Sequence, residues 1–105
     1  MDKTLSYLGL CKKAGKLVSG TDMTVEAIRE GRIRLALTSS DASGNTCKRI
    51  KDACAYRNVP YASLPYDRIR ISDALGNSGS TAAVGITDGG FAAMIGDSIE
   101  KQQQQ

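Results

Sequence analysis

The chain has no histidine and no tryptophan among its 105 residues, and only two prolines, one phenylalanine and three cysteines. Each shortage removes a class of chemistry. Without histidine there is no Ser-His or Cys-His nucleophile pair, and most zinc sites are lost as well. Cys11, Cys47 and Cys54 form no C-x-x-C motif, and Cys47 and Cys54 fall seven positions apart on a helical stretch. That separation is roughly 10 Å along a helix axis, too long for a disulfide. An odd, unpatterned cysteine count fits a reducing compartment. No apolar run approaches the ~18 residues of a membrane span. The opening Met1-Asp2-Lys3-Thr4 lacks the apolar stretch of a secretory leader. These features predict a cytoplasmic chain with no membrane partner, no metal and no cofactor.

What the chain does have is charge, unevenly spread. The net charge is +3, yet residues 1–34 carry seven Lys or Arg against four acids, and residues 35–70 carry six against three. Residues 71–105 reverse the sign, with one base against four acids. A basic binding face would therefore come from the first two thirds.

Hydrophobic spacing divides the chain into alternating elements. Leu5, Leu8 and Cys11 repeat at helical intervals from Lys3 to Ala14, and Gly15 ends that helix behind Lys12 and Lys13. Leu17-Val18 allows only a very short strand. Ser19 to Asp22 then caps a second helix that turns Val25, Ala27 and Ile28 inward and stops near Gly31. Ile33 to Ser39 reads as a strand, and Asp41 to Asn45 as a turn before a helix from Thr46 to about Arg57. That helix places Cys47, Ile50 and Cys54 inward and Lys48, Arg49 and Lys51 outward. Val59 to Leu64 is a short strand, and Pro60 assigns it to an edge or a strand start. A helical turn over Ser72 to Leu75, the loop Gly76 to Ser80, an apolar strand Thr81 to Thr87 and a helix Asp88 to Glu100 follow. The order predicts an α/β fold, a three-layer α/β/α sandwich, in one domain over residues 1–101. Gln102 to Gln105 reads as a disordered polar tail.

The segment Lys12 to Asp22 concentrates the chemistry. Lys12, Lys13 and Lys16 lie a few residues ahead of a helix that opens on Gly20-Thr21-Asp22. A helix start presents unpaired N–H groups and partial positive charge, which together with nearby ammonium groups suits phosphate. Gly15 and Gly20 have the glycine spacing of a P-loop, but Thr21 stands where the phosphate-binding lysine must be. The cysteines share apolar stripes, which favours packing over reactivity. Five aromatic residues, ungrouped, are too few to make base stacking the main binding mode.

Leu8-Gly9-Leu10 and the run Lys12-Lys13-Ala14-Gly15-Lys16-Leu17-Val18-Ser19-Gly20 resemble small bacterial proteins of the YlxQ type. These belong to the kink-turn-binding ribosomal-protein superfamily, the ribosomal protein L-seven-Ae family. Ala27-Ile28-Arg29-Glu30-Gly31, Asp41-Ala42-Ser43 with Asn45-Thr46, Ala74-Leu75-Gly76, and Ala83-Val84-Gly85-Ile86-Thr87-Asp88 with Gly90-Phe91-Ala92 extend the match from residue 3 to about 96. The resemblance implies a sandwich with a small mixed four-stranded sheet that binds structured RNA, such as ribosomal RNA or a kink-turn, without catalysis. It implies association with the ribosome, and the chain is expected to be a monomer.

In that family the second helix opens close to Gly-Thr-Asn-Glu-x-x-Lys, and a loop before the last strand completes the RNA site. Gly20 and Thr21 match, whereas the Asn, Glu and Lys positions hold Asp22, Met23 and Glu26. Asp22 accepts hydrogen bonds but cannot donate one as Asn does, and two carboxylates repel phosphate. The loop is Asn77-Ser78-Gly79-Ser80, small and polar where binders commonly carry apolar residues. The expected RNA-contacting set is thus Lys12, Lys13, Lys16, Gly20, Thr21, Asp22, Met23, Glu26, Arg29 and Asn77 to Ser80. The alternative is a protein-interaction adaptor on the same fold that has lost kink-turn binding.

Overall fold

A computed structural model describes residues 2–103. Along it run α1 (Lys3–Lys13), β1 (Leu17–Ser19), α2 (Thr21–Arg29), β2 (Leu35–Thr38), α3 (Gly44–Arg57), β3 (Tyr61–Ser63), α4 (Arg68–Ala74), β4 (Ala83–Ile86) and α5 (Gly89–Gln103). The strands form one mixed sheet in the order β1-β4-β2-β3. β4 is antiparallel to both neighbours, pairing Gly85 with Val18 on one side and Ala36 on the other, and β2 runs parallel to β3. The two central strands are the apolar runs, with every residue buried. β3, which follows Pro60, lies at an edge.

Alternation along the central strands builds a core on each face. Leu35, Leu37, Val84 and Ile86 pack with Leu8, Cys11, Ile71, Ile95 and Ile99 beneath α1, α4 and α5. Ala36 and Ala83 pack with Val25, Ile28, Ile33, Ile50 and Cys54 beneath α2 and α3. The result is the expected α/β/α sandwich. Small residues set the spacing. A Cβ on Gly85 would stand 2.7 Å from Ile33 Cδ1 and 3.2 Å from Thr24 Cγ2, so α2 packs directly against bare strand. On the other face, a Cβ on Gly9 would stand 2.8 Å from the Ala74 carbonyl oxygen, so α1 crosses α4 at close backbone range.

Capping explains where several boundaries differ from the periodicity. Ser43 Oγ accepts from the Thr46 N–H at 3.1 Å, so α3 begins at Gly44 rather than Thr46. Asp67 Oδ1 accepts from the Arg70 N–H at 2.8 Å and starts α4 at Arg68, ahead of the turn expected at Ser72. The strands expected over Ile33 to Ser39 and Thr81 to Thr87 are shorter, because only Leu35–Thr38 and Ala83–Ile86 pair across the sheet. α5 also continues into the stretch assigned to a disordered tail. Gln102 Nε2 donates to both Asp2 carboxylate oxygens at 3.0 Å and to Tyr66 Oη at 2.8 Å, which holds the last turn against the start of α1. Gln104 and Gln105 lie outside the described residues. None of the described helices is long and apolar enough to cross a membrane.

Candidate nucleic-acid interface

Gly20 joins β1 to α2 with φ +100° and ψ 146°, a conformation open in practice only to glycine. Its N–H donates to the Ala83 carbonyl at 2.9 Å, which fixes the α2 start beside the first residue of β4. The Thr24 N–H is the first of α2 to find a main-chain acceptor, the Gly20 carbonyl, at 2.9 Å. The N–H groups of Thr21, Asp22 and Met23 have none, and Gly20 brings no side chain to cap them. A Cβ on Gly20 would meet nothing within 4 Å, so this helix end faces open space.

The loop before β4 closes onto the same end of the sheet. The Ala82 carbonyl accepts from the Ser39 N–H at 2.9 Å, and Asn77 is tied back by its N–H to the Ser72 carbonyl at 3.0 Å. Ser78, Gly79 and Ser80 are exposed. Lys12 Nζ reaches Asn77 Oδ1, so the end of α1 borders this loop.

The three lysines do not converge as their closeness in sequence suggests. Lys13 lines the groove between α1 and α4 with Arg70 and Asp73. The Lys16 carbonyl accepts from the Thr87 N–H at 3.0 Å, at the far end of β1 from Gly20. Four extended residues separate Lys16 from Gly20 by about 13 Å. Of the three, Lys12 alone hydrogen-bonds the loop. Arg29 lies along α2, in the groove that α2 makes with α3.

Electrostatics at the helix start differ from the sequence expectation in one respect. Asp22 Oδ1 lies 2.8 Å from Arg49 Nη1, so its carboxylate is paired with a guanidinium from α3. Arg49 was expected only as outward surface charge, and no local motif ties it to a residue on another helix. Met23 is 55% exposed beside this pair, and Glu26 is exposed one turn on. Among the described residues no three His, Cys, Asp or Glu side chains gather in a metal-holding group. The three cysteines are free. Burial pushes the Cys11 thiol up to about 11, with the Asp88 carboxylate adding to it, and burial alone does the same for Cys54. Both are protonated at neutral pH and pack as apolar groups. The surface offers donors and cations for an anionic ligand.

The sequence model of the ribosomal protein L7Ae/L30e/S12e/Gadd45 family matches residues 2–95. The chain belongs to that family. It is 40% identical over 85 residues to the RNA-binding protein YlxQ of Bacillus subtilis (strain 168), covering 81% of this chain and 83% of the relative. It is 34% identical over 98 residues to the RNA-binding protein YlxQ of Enterococcus faecium, covering 93% and 92%. A solved structure of a protein with unknown function from Bacillus halodurans C superposes with a TM-score of 0.89 at 30% identity, covering 95% of this chain and 99% of that one. The Giardia lamblia 15.5kD RNA binding protein superposes with a TM-score of 0.75 at 18% identity, covering 92% and 84%, and shares the fold. Within the family frame, the matching Gly20-Thr21 pair and the loop before the last strand are the two segments that the Gly20–Ala83 bond brings to one end of the sheet.

Proposed function

We propose that this protein binds structured RNA, without catalysis, at the end of the sheet where α2 begins. The observation that carries this reading is the Gly20–Ala83 hydrogen bond, which sets three uncapped N–H groups at the start of β4, the strand that the Asn77–Ser80 loop leads into; Lys12 reaches that loop at Asn77. Backbone N–H groups and a lysine position phosphates, and the exposed loop meets the grooves or unpaired bases. The names of the bacterial relatives support the same class of ligand. Ribosomal RNA and kink-turn-like folds are the ligands to try first, for a single-domain cytoplasmic monomer that works on or near the ribosome. The Asp22–Arg49 pair weakens the objection that a carboxylate at this position repels phosphate, because its charge is already matched.

Titrating labelled kink-turn RNA and ribosomal RNA fragments at two salt concentrations tests the proposal. Binding that weakens with salt in proportion to the phosphates neutralised is the expected result. No binding to any of them at low ionic strength would sink it. The second reading, an adaptor that holds a protein, is favoured by Met23, 55% exposed beside acidic Asp22 and Glu26. One protein partner retained after nuclease treatment, with no RNA bound, would select it.

A further inference from the structure

Four of the five aromatic rings are covered or engaged. Tyr66 is buried, and Tyr7 and Phe91 pack against the core below α1 and α5. Tyr61 Oη lies 2.6 Å from Thr38 Oγ1, with Lys51 Nζ 5.5 Å from its ring centroid. Tyr56 differs. It is 82% exposed and stands on α3 seven residues after Arg49, so both lie on one face about 10 Å apart along the axis. Across from them on α2 are Val25 and Arg29, and the four residues line a groove of about 500 Å³ together with Asp52 and Ala53.

The groove is lined by two guanidinium groups, Arg29 and Arg49, against one carboxylate, Asp52. Asp52, its one acid, lies 3.7 Å from Lys48 Nζ and is matched by it. At one end, Arg57 donates to the Arg29 carbonyl. The other end is Arg49, the residue that holds Asp22 in the first turn of α2. The groove is therefore continuous with the proposed RNA-binding end. An exposed tyrosine ring in a groove lined by guanidinium groups matches an unpaired nucleotide: any base can stack on the ring, and guanidinium donors take the phosphates.

We infer that a single-stranded segment leaves the structured RNA at the α2 start and follows the α2–α3 groove, with one unpaired base stacked on Tyr56 and adjoining phosphates on Arg49 and Arg29. This rests on the RNA-binding reading above and adds to it a second, strand-type contact.

The test uses the whole chain and two fluorescent probes at one salt concentration. One is a blunt kink-turn hairpin; the other is the same hairpin with six unpaired nucleotides added at either end in turn. The unmodified protein should bind one extended probe at least about fivefold tighter than the blunt one, the low end for one base stacked on an aromatic side chain. Tyr56→Ala should abolish that gain and leave blunt-probe affinity unchanged, while Tyr56→Phe should keep it. Thermal melting of both variants checks that the fold is intact, as expected for so exposed a side chain. Equal affinity for blunt and extended probes, or a gain that survives Tyr56→Ala, overturns the inference while the RNA-binding reading stands. Failure to bind either probe overturns the inference, and failure to bind the ribosomal RNA fragments as well overturns both. Loss of a protein partner on Tyr56→Ala, with both RNA affinities unchanged, assigns the groove to a protein instead.

Discussion

Arg49 Nη1 and Asp22 Oδ1 meet at 2.8 Å and join the middle of α3 to the first turn of α2. The pair is exposed, with 42% of the arginine and 87% of the aspartate side chain accessible, so it contributes little to stability. Its weight falls on what the helix start offers to a ligand.

Replacing Asp22→Asn should therefore raise affinity for structured RNA several-fold at low salt. The change removes a carboxylate and supplies an amide donor. Unfolding free energy should move by no more than ~1 kcal/mol. Fluorescence anisotropy and urea titration measure the two effects. Unchanged or weaker binding would mean that the ligand does not approach this turn.

Lys12 and Lys16 flank the same turn after α1, but only Lys12 hydrogen-bonds the loop before β4, at Asn77. Lys12→Gln should weaken RNA binding and reduce the slope of log K against log salt by about 1. Lys16→Gln should leave that slope unchanged. Equal losses from both would place the RNA on a wider surface than the one described here.

Gly85 and Ile33 interlock beneath α2. Gly85→Ala puts a methyl 2.7 Å from Ile33 Cδ1 and should cost ~1–3 kcal/mol by overpacking. Ile33→Val alone should cost ~0.5–1.5 kcal/mol. Combined, the two should cost less than their sum, because valine lacks the clashing Cδ1. A double-mutant cycle by urea unfolding reads the coupling, and strict additivity would show that the strand moves instead.

Asp2 links the two ends of the described chain. Burial raises its pKa, but hydrogen bonds involving the Tyr66 hydroxyl, the main-chain N–H groups of Leu5 and Thr4, and Gln102 outweigh this and hold the carboxyl below 3.8. A lowered folded-state value stabilises the fold above the unfolded value, and the contribution is lost as pH falls through the folded one. Asp2→Asn keeps an N-cap, so its deficit against the unmodified chain should be present at pH 7 and shrink below about pH 4. Asp2→Ala should cost ~0.5–2 kcal/mol at pH 7 through loss of the cap itself. Urea unfolding of the three proteins across this range gives the answer; a deficit of Asp2→Asn that does not shrink as pH falls below about 4 would contradict the assignment.

Local patterns carried much of the architecture. The apolar runs around Leu35–Leu37 and Ala83–Ile86 identified the central strands, and Pro60 identified an edge. The match of Gly20-Thr21 and the place of the loop before the last strand pointed to both halves of the candidate site. Local patterns could not show that Arg49 reaches Asp22, 27 residues away, because that distance closes only when α2 and α3 pack together. Nor could they show that a three-residue β1 carries Lys16 away from Gly20. Gln102 is a third case: its polar neighbours read as a tail, while its partner Asp2 is 100 residues upstream.

The position of β4 has a further consequence during synthesis. It is the last strand made, yet it lies between β1 and β2, and Gly20 is anchored to it. A nascent chain that has exposed everything up to α4 holds two separate sheet fragments and an untethered α2 start. The sheet and the interface close together, once Ala83 to Ile86 have emerged, and not before. A truncated product would lack the proposed RNA-binding end as well as the missing residues, so a half-made copy should not compete with finished protein for the same ligand.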